Sequence, residues 1–473
     1  MDLVNCPAWQ IADAVRAGQL SAVEVLDHYL ARIDEVESDV NAWVRRDADS
    51  ARAEARDIDR RVAAGEDPGL LAGVPLGVKD VDELRGFRTT WGSLIHAGDP
   101  PSEIDGYHIE RLRRAGAVFI GKTTTAEFGS AAYTNTILTG VTRNPWNLTR
   151  TPGGSSGGAS AAVAAGMLPL ATGGDGGGSI RLPSHFTGCV GMKATSGRIP
   201  TGPARADWSR CVQRGPIGRS VRDNARYIDI ASGPHPGDRS TYMGGPTRLE
   251  SAIGNLNLVG KTAVWTDTMG FGVADPQISA VARGAAEMFV KESGVEEVER
   301  EIDWPDPGAA WLMTMALDLG AELQEYLDNP TAEFTPVIQL SLIAVREHLH
   351  GPQITAAIDQ RLDIERRVAA FFEDVDFIMS PVAPVTAFAA EGPMPTEIAG
   401  QSVAATAAAQ YTYPFNLTGN PAISIPAGFV DGLPVGLQIV GRYAADEDVI
   451  AAAAVAEAAL DPWRPAPDPF PPE

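Results

Sequence analysis

The stretch from Thr151 to Lys193 constrains this chain more than any other, because glycine crowds around a few serines there and large side chains are scarce. Glycine lets the backbone adopt positive φ angles and lets amide groups approach a ligand closely. The stretch contains two glycine clusters, and each of them encloses or ends on a serine. This pattern predicts hydroxyl groups set among exposed backbone N–H donors, which is the arrangement that acyl transfer requires.

The composition limits the class of protein and its partners. The chain has 473 residues, of which 44% are apolar and 21% charged, as expected of a globular protein with one large core or two domains. A net charge of −23 predicts a surface that repels phosphate backbones and anionic lipids, so neither a nucleic acid nor a membrane is an expected partner. The chain starts without a basic region followed by an apolar run and has no apolar stretch of about 18 residues, which predicts a cytoplasmic enzyme.

Neither the cysteines nor the other ligand-type residues point to a metal site. Cys6, Cys189 and Cys211 cannot all pair with one another, and they show no C-x-x-C spacing. We therefore expect reduced thiols rather than disulfides or a zinc site. No group of His, Cys and Asp residues has metal-ligand spacing, so no metal and no other cofactor is predicted.

Hydrophobic periodicity predicts helices first and an alternation of strands and helices afterwards. Residues 8–64 show apolar positions at helical spacing, and Ser21 with Glu24 forms a capping box, so two or three amphipathic helices are expected there. Short β-branched segments separated by Gly and Pro begin near Leu71 and alternate with helices. This alternation predicts an α/β fold with a mixed, largely parallel central sheet that is covered by helices on both faces.

Three motifs resemble the amidase signature family of Ser–cisSer–Lys hydrolases. G-G-S-S-G-G occupies residues 153–158, and D-G-G-G-S-I-R-L-P occupies residues 175–183. The separation of 24 residues between Ser155 and Ser179 is the spacing of that family, and G-V-P-L-G-V-K-D at 73–80 resembles its lysine-bearing segment. The resemblance covers about residues 21–240 and 376–442, and it favours a single large domain.

The resemblance implies roles for three side chains. Ser179 would be the nucleophile, and Lys79 would be a general base that is desolvated enough to lose its proton near neutral pH. Ser155 would follow a cis peptide bond and relay the proton between them. Considered without the resemblance, a lysine at the end of a buried strand could instead pair with Asp80 or another acid, because burying an unpaired ammonium group is costly.

The same resemblance implies an oxyanion hole and residues that support it. The predicted donors are the backbone N–H groups of Gly176, Gly177, Gly178 and Ser179. Asp175 and Arg181 would anchor the loop. Many family members carry threonine or isoleucine where this chain has Gly176, a difference that leaves backbone donation intact but predicts a softer loop.

The pattern of helix-like, strand-like and proline-rich sequence along the chain predicts five segments. They are an N-terminal helical cover (1–65), the signature core with the catalytic residues (66–240), a variable helical region forming part of the substrate pocket (241–375), C-terminal strands and a helix completing the core (376–460), and a Pro-rich tail (461–473). The longer, charged helices expected within 241–375 fit an inserted cap and core helices equally well. The tail cannot form a helix and is expected to be disordered or to follow the surface.

Several other patterns have simpler explanations. Residues 116–123 fit the G-x-x-x-x-G-K-T phosphate-binding pattern, but A-V-F-I in its middle reads as a strand, whereas that motif needs the strand before its first glycine. Residues 153–157 fit the G-x-S-x-G turn of α/β-hydrolases, yet no strand pattern precedes them. We expect the remaining candidate nucleophiles and bases to be packing or solvated residues: His185, Cys189, His348 and His350.

The substrate pocket is the least constrained part of the site. In the resembling family its wall comes from the segment after a T-x-x-E-F-like stretch and from loops of the variable region. Here that segment supplies the small residues Gly129, Ser130 and Ala132, which predict a roomy pocket. We predict Gly129, Ser130 and Tyr133 as substrate-binding residues. Aromatic side chains available for other walls are Trp208, Trp311, Tyr411 and Tyr413.

These observations predict an amidohydrolase of linear carboxylic amides, preferring aryl or bulky aliphatic amides over acetamide, with anilides, esters or carbamates as further substrates. The expected partner is this small-molecule substrate, and the oligomeric state stays open between a single chain and a homodimer. One alternative is the glutamine-hydrolysing component of a tRNA-dependent amidotransferase, against which the heavily acidic chain argues. Another is a non-catalytic binding protein on the same fold, against which the presence of Lys79, Ser155 and Ser179 argues.

Overall fold

An eleven-stranded mixed sheet runs through the part of the chain that the structure, a computed structural model, describes: residues 2–203, 208–328, 331, 333–460, 463–468 and 470. The strands in chain order are β1 (Trp43–Arg46), β2 (Pro75–Lys79), β3 (Val118–Thr123), β4 (Asn135–Thr136), β5 (Gly140–Val141), β6 (Leu170–Asp175), β7 (Val190–Lys193), β8 (Gln213–Gly218), β9 (Thr262–Trp265), β10 (Glu296–Glu297), β11 (Phe377–Pro381), β12 (Glu397–Ile398), β13 (Gln401–Ser402), β14 (Ala422–Val430) and β15 (Leu433–Gly441). The pairs β4 with β5 and β12 with β13 form small ribbons outside the sheet.

Helices connect these strands. Within the described residues they are α1 (Ala8–Arg16), α2 (Ala22–Val40), α3 (Ala48–Ala63), α4 (Tyr107–Arg114), α5 (Gly157–Ala164), α6 (Arg181–Thr187), α7 (Val221–Ala231), α8 (Leu249–Ala252), α9 (Pro276–Ser293), α10 (Gly308–Glu322), α11 (Pro336–His348), α12 (Gly351–Asp374), α13 (Pro414–Leu417) and α14 (Asp446–Ala459). Helices α5 and α6 pack on one face of the sheet, and α7, α9 and α14 pack on the other. The predicted cover of helices on both faces is confirmed.

The sheet combines parallel flanks with an antiparallel centre. Its strand order is β1-β3-β2-β6-β8-β7-β14-β15-β11-β9-β10. Strand β2 lies parallel between β3 and β6, and β9 lies parallel between β11 and β10, whereas every pairing from β6 to β11 is antiparallel. The α/β class and the mixed sheet are confirmed, and the parallel pairings are confined to the flanks. One reason for the antiparallel centre is the two-residue turn Asp431-Gly432, whose positive φ angles of 51° and 78° suit a tight hairpin between β14 and β15.

This topology decides where the site lies. Because β2 and β6 are parallel neighbours, their carboxyl ends, at Lys79 and Asp175, meet at the same edge of the sheet. Crevices at the carboxyl ends of strands are where α/β sheets bind ligands.

Helix α5 fixes the loop that carries the first two serines. It is built from Gly, Ala, Ser and Val, and every one of its residues is buried. A Cβ atom on Gly158 would lie 2.3 Å from Thr124 Oγ1, so only glycine permits this close approach. Since α5 begins directly after Ser156, its packing holds the preceding loop in place.

The N-terminal helices are confirmed as α1, α2 and α3, and so is the capping box of α2. Ser21 Oγ accepts hydrogen bonds from the backbone N–H groups of Val23 and Glu24, while the Glu24 carboxylate accepts one from Ser21 N. The sequence did not predict β1, whose four residues are too few to show a period. It pairs with the edge of β3.

Residues 241–375 contribute to the sheet as well as to a helical group. Strands β9 and β10 extend the sheet beside β11, and α9 packs on β11, β14 and β15. Helices α11 and α12 pack against α10, which approaches the end of β6. Both a core helix and a set of outer helices therefore come from this segment.

Part of the Pro-rich tail follows the surface. Residues 461, 462, 469 and 471–473 lie outside the described residues. Ala466 N donates to Ala164 O at 2.9 Å, and the Asp468 carboxylate pairs with Arg32 at 2.6 Å. Among the described helices, none is both long and apolar enough to cross a bilayer. The three cysteines are buried and form no disulfide among the described residues.

Arg219 ties the N-terminal residues to the core. Its guanidinium group is buried and donates to the backbone carbonyl oxygens of Leu3, Cys6 and Leu168, at 2.8 Å each. It also donates to the Tyr29 hydroxyl at 3.1 Å.

We expect Arg219→Met to lower the free energy of unfolding by about 3 kcal/mol, because four oxygens lose a common donor. Arg366→Met removes an arginine whose side chain is 76% exposed and should change that free energy by less than about 0.5 kcal/mol. Urea denaturation followed by fluorescence measures both. Coinciding unfolding midpoints for the two variants would contradict this role of Arg219.

Candidate active site

Lys79 ends β2 and is buried beside the first serine loop. Its Nζ lies 2.7 Å from Ser155 Oγ and donates to Gly174 O at 3.2 Å. Within the described part of the chain, no carboxylate lies within 4.0 Å of this nitrogen. Asp80, the alternative partner, pairs with Lys122 at 3.2 Å and accepts hydrogen bonds from Thr90.

This environment favours the neutral amine. Burial first and the Arg214 cation second lower the pKa of Lys79, while Asp82 and Asp175 act in the opposite direction, and the net result is a pKa of about 7. A lysine with such a pKa is substantially unprotonated at neutral pH. It can therefore accept a proton from the hydroxyl that it contacts.

The two serine loops meet beside this lysine. The Gly154–Ser155 peptide bond is cis, and Ser155 is 2% exposed. Ser156 N donates to Ser179 O at 3.3 Å, which joins the two serine loops directly. Ser179 is partly exposed and, like Ser155, lines a cavity. The structure thus brings Lys79, Ser155 and Ser179 to one place.

The carbonyl groups of the loop after β6 are each held by a hydrogen-bond donor. Four donors hold them: Asn416 Nδ2 to Asp175 O at 2.8 Å, Trp311 Nε1 to Gly176 O at 2.8 Å, Thr412 Oγ1 to Gly177 O at 2.6 Å, and Leu182 N to Gly178 O at 2.7 Å. In a trans peptide the C=O and the following N–H point in opposite directions. Fixing the carbonyl groups therefore also fixes the direction of each N–H.

One of the four predicted oxyanion donors is used elsewhere. Gly178 N donates to Asp175 Oδ1 at 2.7 Å, so its N–H points into the loop and away from a substrate oxygen. Gly176, Gly177 and Ser179 keep N–H groups that make no hydrogen bond with any described residue. The prediction of Gly178 as an oxyanion donor is wrong, because the aspartate that supports the loop takes up this N–H.

Asp175 and Arg181 form the centre of the loop support. Both are fully buried, with Arg181 Nε 2.9 Å from Asp175 Oδ2 and Nη2 2.9 Å from Oδ1. Burial alone would raise the pKa of Asp175, but the Arg181 cation and the Asn416 amide hold it well below its usual range. Arg181 also donates to Asn416 Oδ1 and Gln438 Oε1. Both residues therefore lie in the loop region that the resemblance implies they anchor.

The cavity above Ser179 has a volume of about 420 Å³ and mostly apolar walls. Gly129, Ser130 and Ala132 line it, as the roomy-pocket hypothesis requires. Gly129 has a positive φ of 73°, and a Cβ atom there would lie 3.3 Å from Ser155 Oγ. Larger residues of the wall include Val81, Phe128, Leu182, Trp311, Met315 and Leu319.

The structure places four other predicted wall residues outside the cavity. The Tyr133 ring packs edge-on against Phe388, and Trp208 is 55% exposed at the surface. Tyr411 is buried and directs its hydroxyl to backbone carbonyl groups. Tyr413 lies behind Trp311 rather than in the wall itself. These predictions failed because residue type alone suggests a pocket wall, whereas tertiary packing decides whether a ring reaches the cavity, the core or the surface.

Trp311 connects the cavity wall to the loop after β6. Its indole N–H holds Gly176 O, and its ring stacks on Tyr413 with centroids 5.2 Å apart. The Tyr413 hydroxyl in turn donates to Asp306 Oδ1 at 2.7 Å. The sequence predicted Trp311 only as an aromatic wall and carried no signal for the contact with Gly176.

The other motifs have the structural roles expected of them. Gly121, Lys122 and Thr123 lie inside β3, so residues 116–123 form no phosphate loop. His185 accepts from Gly436 N at 2.8 Å and contacts Val385 O at 3.1 Å, as a packing residue does. Burial raises the pKa of the Cys189 thiol to about 12, which makes it a poor nucleophile. No three His, Cys, Asp or Glu side chains in the described ranges are grouped to bind a metal ion.

Known proteins share this arrangement along nearly the whole chain. The family described as Amidase matches residues 24–450. The chain belongs to the amidase signature family. It is therefore a hydrolase of the class that acts on amide C–N bonds.

Individual relatives cover the chain from end to end. An acylamidase of Rhodococcus erythropolis is 36% identical over 461 residues, which are 96% of this chain and 95% of that protein. A glutamyl-tRNA(Gln) amidotransferase component of Geobacillus thermodenitrificans is 33% identical over 488 residues and 98% of both chains. The crystal structure of a bacterial aryl acylamidase of this family is 29% identical, with a TM-score of 0.89 over 97% of both chains.

The role of Trp311 can be tested by removing its N–H while keeping an aromatic wall. We expect Trp311→Phe to lower kcat on the order of tenfold, because Gly176 O loses the donor that orients the following N–H. KM should change by less than about threefold, since a ring still closes the cavity.

Leu312→Ala is the matched control, because Leu312 lines the same wall but makes no hydrogen bond to the loop through its side chain. It should change KM more than kcat. Steady-state kinetics on one active amide compare the variants, and an unchanged kcat in Trp311→Phe would contradict the proposed coupling.

Proposed function

We propose that this protein hydrolyses linear carboxylic amides with an aryl or bulky aliphatic group, and that it also accepts anilides, esters or carbamates of similar size. The observation that carries this proposal is the cavity of about 420 Å³ next to Ser179, whose walls are mainly apolar. A cavity of this kind gains free energy from burying a large apolar group, at roughly 25 cal/mol per Å² of buried area. Acetamide offers too little apolar surface to use it.

The proposed mechanism uses only groups of this chain. Ser179 Oγ attacks the amide carbonyl carbon while its proton passes through Ser155 Oγ to Lys79 Nζ. The N–H groups of Gly176, Gly177 and Ser179 stabilise the oxyanion that forms. The relay then returns a proton to the departing amine, and an acyl-enzyme is left on Ser179. A water molecule, activated by the same relay, hydrolyses this ester and releases the carboxylic acid.

A second candidate function is glutamine hydrolysis within an amidotransferase complex. It is favoured by the identity to the glutamyl-tRNA(Gln) amidotransferase component, which is close to the identity to the acylamidase. Free glutamine carries both an ammonium and a carboxylate group, and each would need polar partners. The mainly apolar walls of the cavity support the first candidate over this one.

Hydrolysis rates across a panel of amide substrates distinguish between the two candidate functions. With acetamide, hexanamide, benzamide, acetanilide and glutamine, we expect kcat/KM for the aryl and hexanoyl compounds to exceed that for acetamide by tenfold or more, on the order of what a few buried methylenes supply. Ser179→Ala should abolish every activity and serves as the blank. A preference for acetamide would refute the large-substrate proposal, and a preference for glutamine would support the second candidate.

Replacing Lys79 should slow the hydrolysis of amides more than the hydrolysis of activated esters. In Lys79→Ala, amide hydrolysis should fall by several orders of magnitude and ester hydrolysis much less, because an amine leaves poorly unless protonated whereas an activated phenolate leaves unaided. In the wild type, amide turnover should rise between pH 6 and 8 as a lysine with a pKa of about 7 loses its proton.

Paired assays of an anilide and the corresponding nitrophenyl ester measure both effects. Equal losses for the two substrates, or an amide rate within about tenfold of the wild type, would remove Lys79 from the mechanism.

A further inference from the structure

A second cation lies next to the catalytic lysine. Arg214 faces Gly174 across the β6–β8 pairing, and its side chain is 6% exposed and lines the cavity. The position that a Cβ atom would occupy on Gly174 lies 3.2 Å from Arg214 Nη1 and 3.8 Å from Lys79 Nζ. Two basic side chains thus lie within 4 Å of one point in a buried site.

The two nitrogens are therefore at most about 7 Å apart, and like charges this near in a buried place disfavour each other's charged form. A guanidinium group does not lose its proton in a protein, whereas an amine on a flexible stem does so readily when buried. The lysine is therefore the member that becomes neutral. This is the protonation state that the proposed proton transfer from Ser155 requires.

Asp82 holds the arginine in this position. Its Oδ1 pairs with Arg214 Nε, while Nη1 is the guanidinium atom nearest to the Cβ position of Gly174, beside which Lys79 Nζ also lies. The ion pair therefore holds the guanidinium group on the side of Gly174 that the lysine also reaches. The carboxylate offsets the cost of burying Arg214 without lying within ion-pair distance of Lys79 Nζ, as judged over the described residues.

We propose that Arg214, held by Asp82, is a positioning residue that keeps Lys79 in its unprotonated form. The inference rests on the proposed function, because it assigns Arg214 a role in the activation of Ser179. It adds a residue pair from β8 and the segment after β2 to the proposed catalytic machinery.

Several other charged or titratable groups surround this pair. His108 Nε2 lies 3.7 Å from Asp82 Oδ2, but burial lowers its pKa to about 4, so it is neutral near pH 7. Lys122 donates to Asp82 O and pairs with Asp80. The other charged or titratable groups near Lys79, Arg214 and Asp82 are Asp175, which is bound to Arg181, Glu83, whose pKa is raised by burial, and Tyr227, whose pKa is raised well above its ordinary value.

The test uses the pH dependence of labelling at Ser179 and needs no substrate. Phenylmethylsulfonyl fluoride is reacted with each variant between pH 5 and 9, and mass spectrometry measures the rate of modification of Ser179. Labelling should slow on the acid side of the pH–rate profile as Lys79 gains its proton. We expect this acid limb of the profile to move upward by about one pH unit or more in Arg214→Met, because a nearby positive charge is lost and Asp82 is left to stabilise the ammonium form. Arg214→Lys keeps the charge and should move the limb by less than half that shift.

Arg214→Met leaves the Asp82 carboxylate buried without its partner. A second pair of variants avoids this by replacing Asp82 as well. Asp82→Asn should move the acid limb downward, and Asp82→Asn combined with Arg214→Met should move it back up. This comparison stands even if Arg214→Met alone does not fold, which its circular dichroism spectrum reports. An unchanged acid limb in every folded variant that lacks Arg214 would overturn the inference, whereas an absence of labelling at Ser179 in the wild type would overturn the proposed function instead.

Discussion

The site depends on a buried amine that has no carboxylate of the described residues within ion-pair distance. Lys79 reaches the end of β2 among the tightly packed strands β3 and β6, and its nitrogen contacts a serine hydroxyl and a backbone carbonyl group. Burying an ammonium ion under these conditions is costly, so the lysine lowers that cost by releasing its proton. The neighbouring acids are bound to other cations, Asp80 to Lys122 and Asp175 to Arg181. The fold thereby favours the unprotonated form of a side chain that is ordinarily charged, as the proposed role of Lys79 requires.

Around this base, the glycine-rich loop acquires its shape from residues far away in the chain. Glycine alone permits many conformations, and the side chains of Trp311, Thr412 and Asn416 select one by holding successive carbonyl groups. The direction of each following N–H group is then fixed as well, because the peptide unit is planar. Such donors are already oriented before a substrate arrives, which is the condition for effective stabilisation of a developing oxyanion.

Residues 241–375, which carry no recognisable motif, nevertheless reach the reacting centre. Helix α10 supplies the Trp311 wall and the contact with the loop, while β9 and β10 extend the common sheet. A change in this segment can therefore alter both the size of the cavity and the geometry of the loop. This dual contact offers a physical route by which members of one family, with the same catalytic motifs, can differ in the amides that they hydrolyse.

The sequence by itself determined the parts of this protein that depend on local chemistry. The resemblance of three short motifs to the amidase signature family implied the roles of Lys79, Ser155 and Ser179. The capping box and the hydrophobic periodicity predicted the N-terminal helices. Each of these signals lies in residues close together in the chain. Only the tertiary structure decided that Gly178 N donates to Asp175 and that Tyr133 lies outside the cavity. It also placed Trp311 against the loop after β6 and Arg214 near Lys79. Each of these outcomes requires strands or helices from different parts of the chain to lie side by side. No local pattern specifies such contacts, since they follow from the order of strands in the sheet and from the packing of helices upon it.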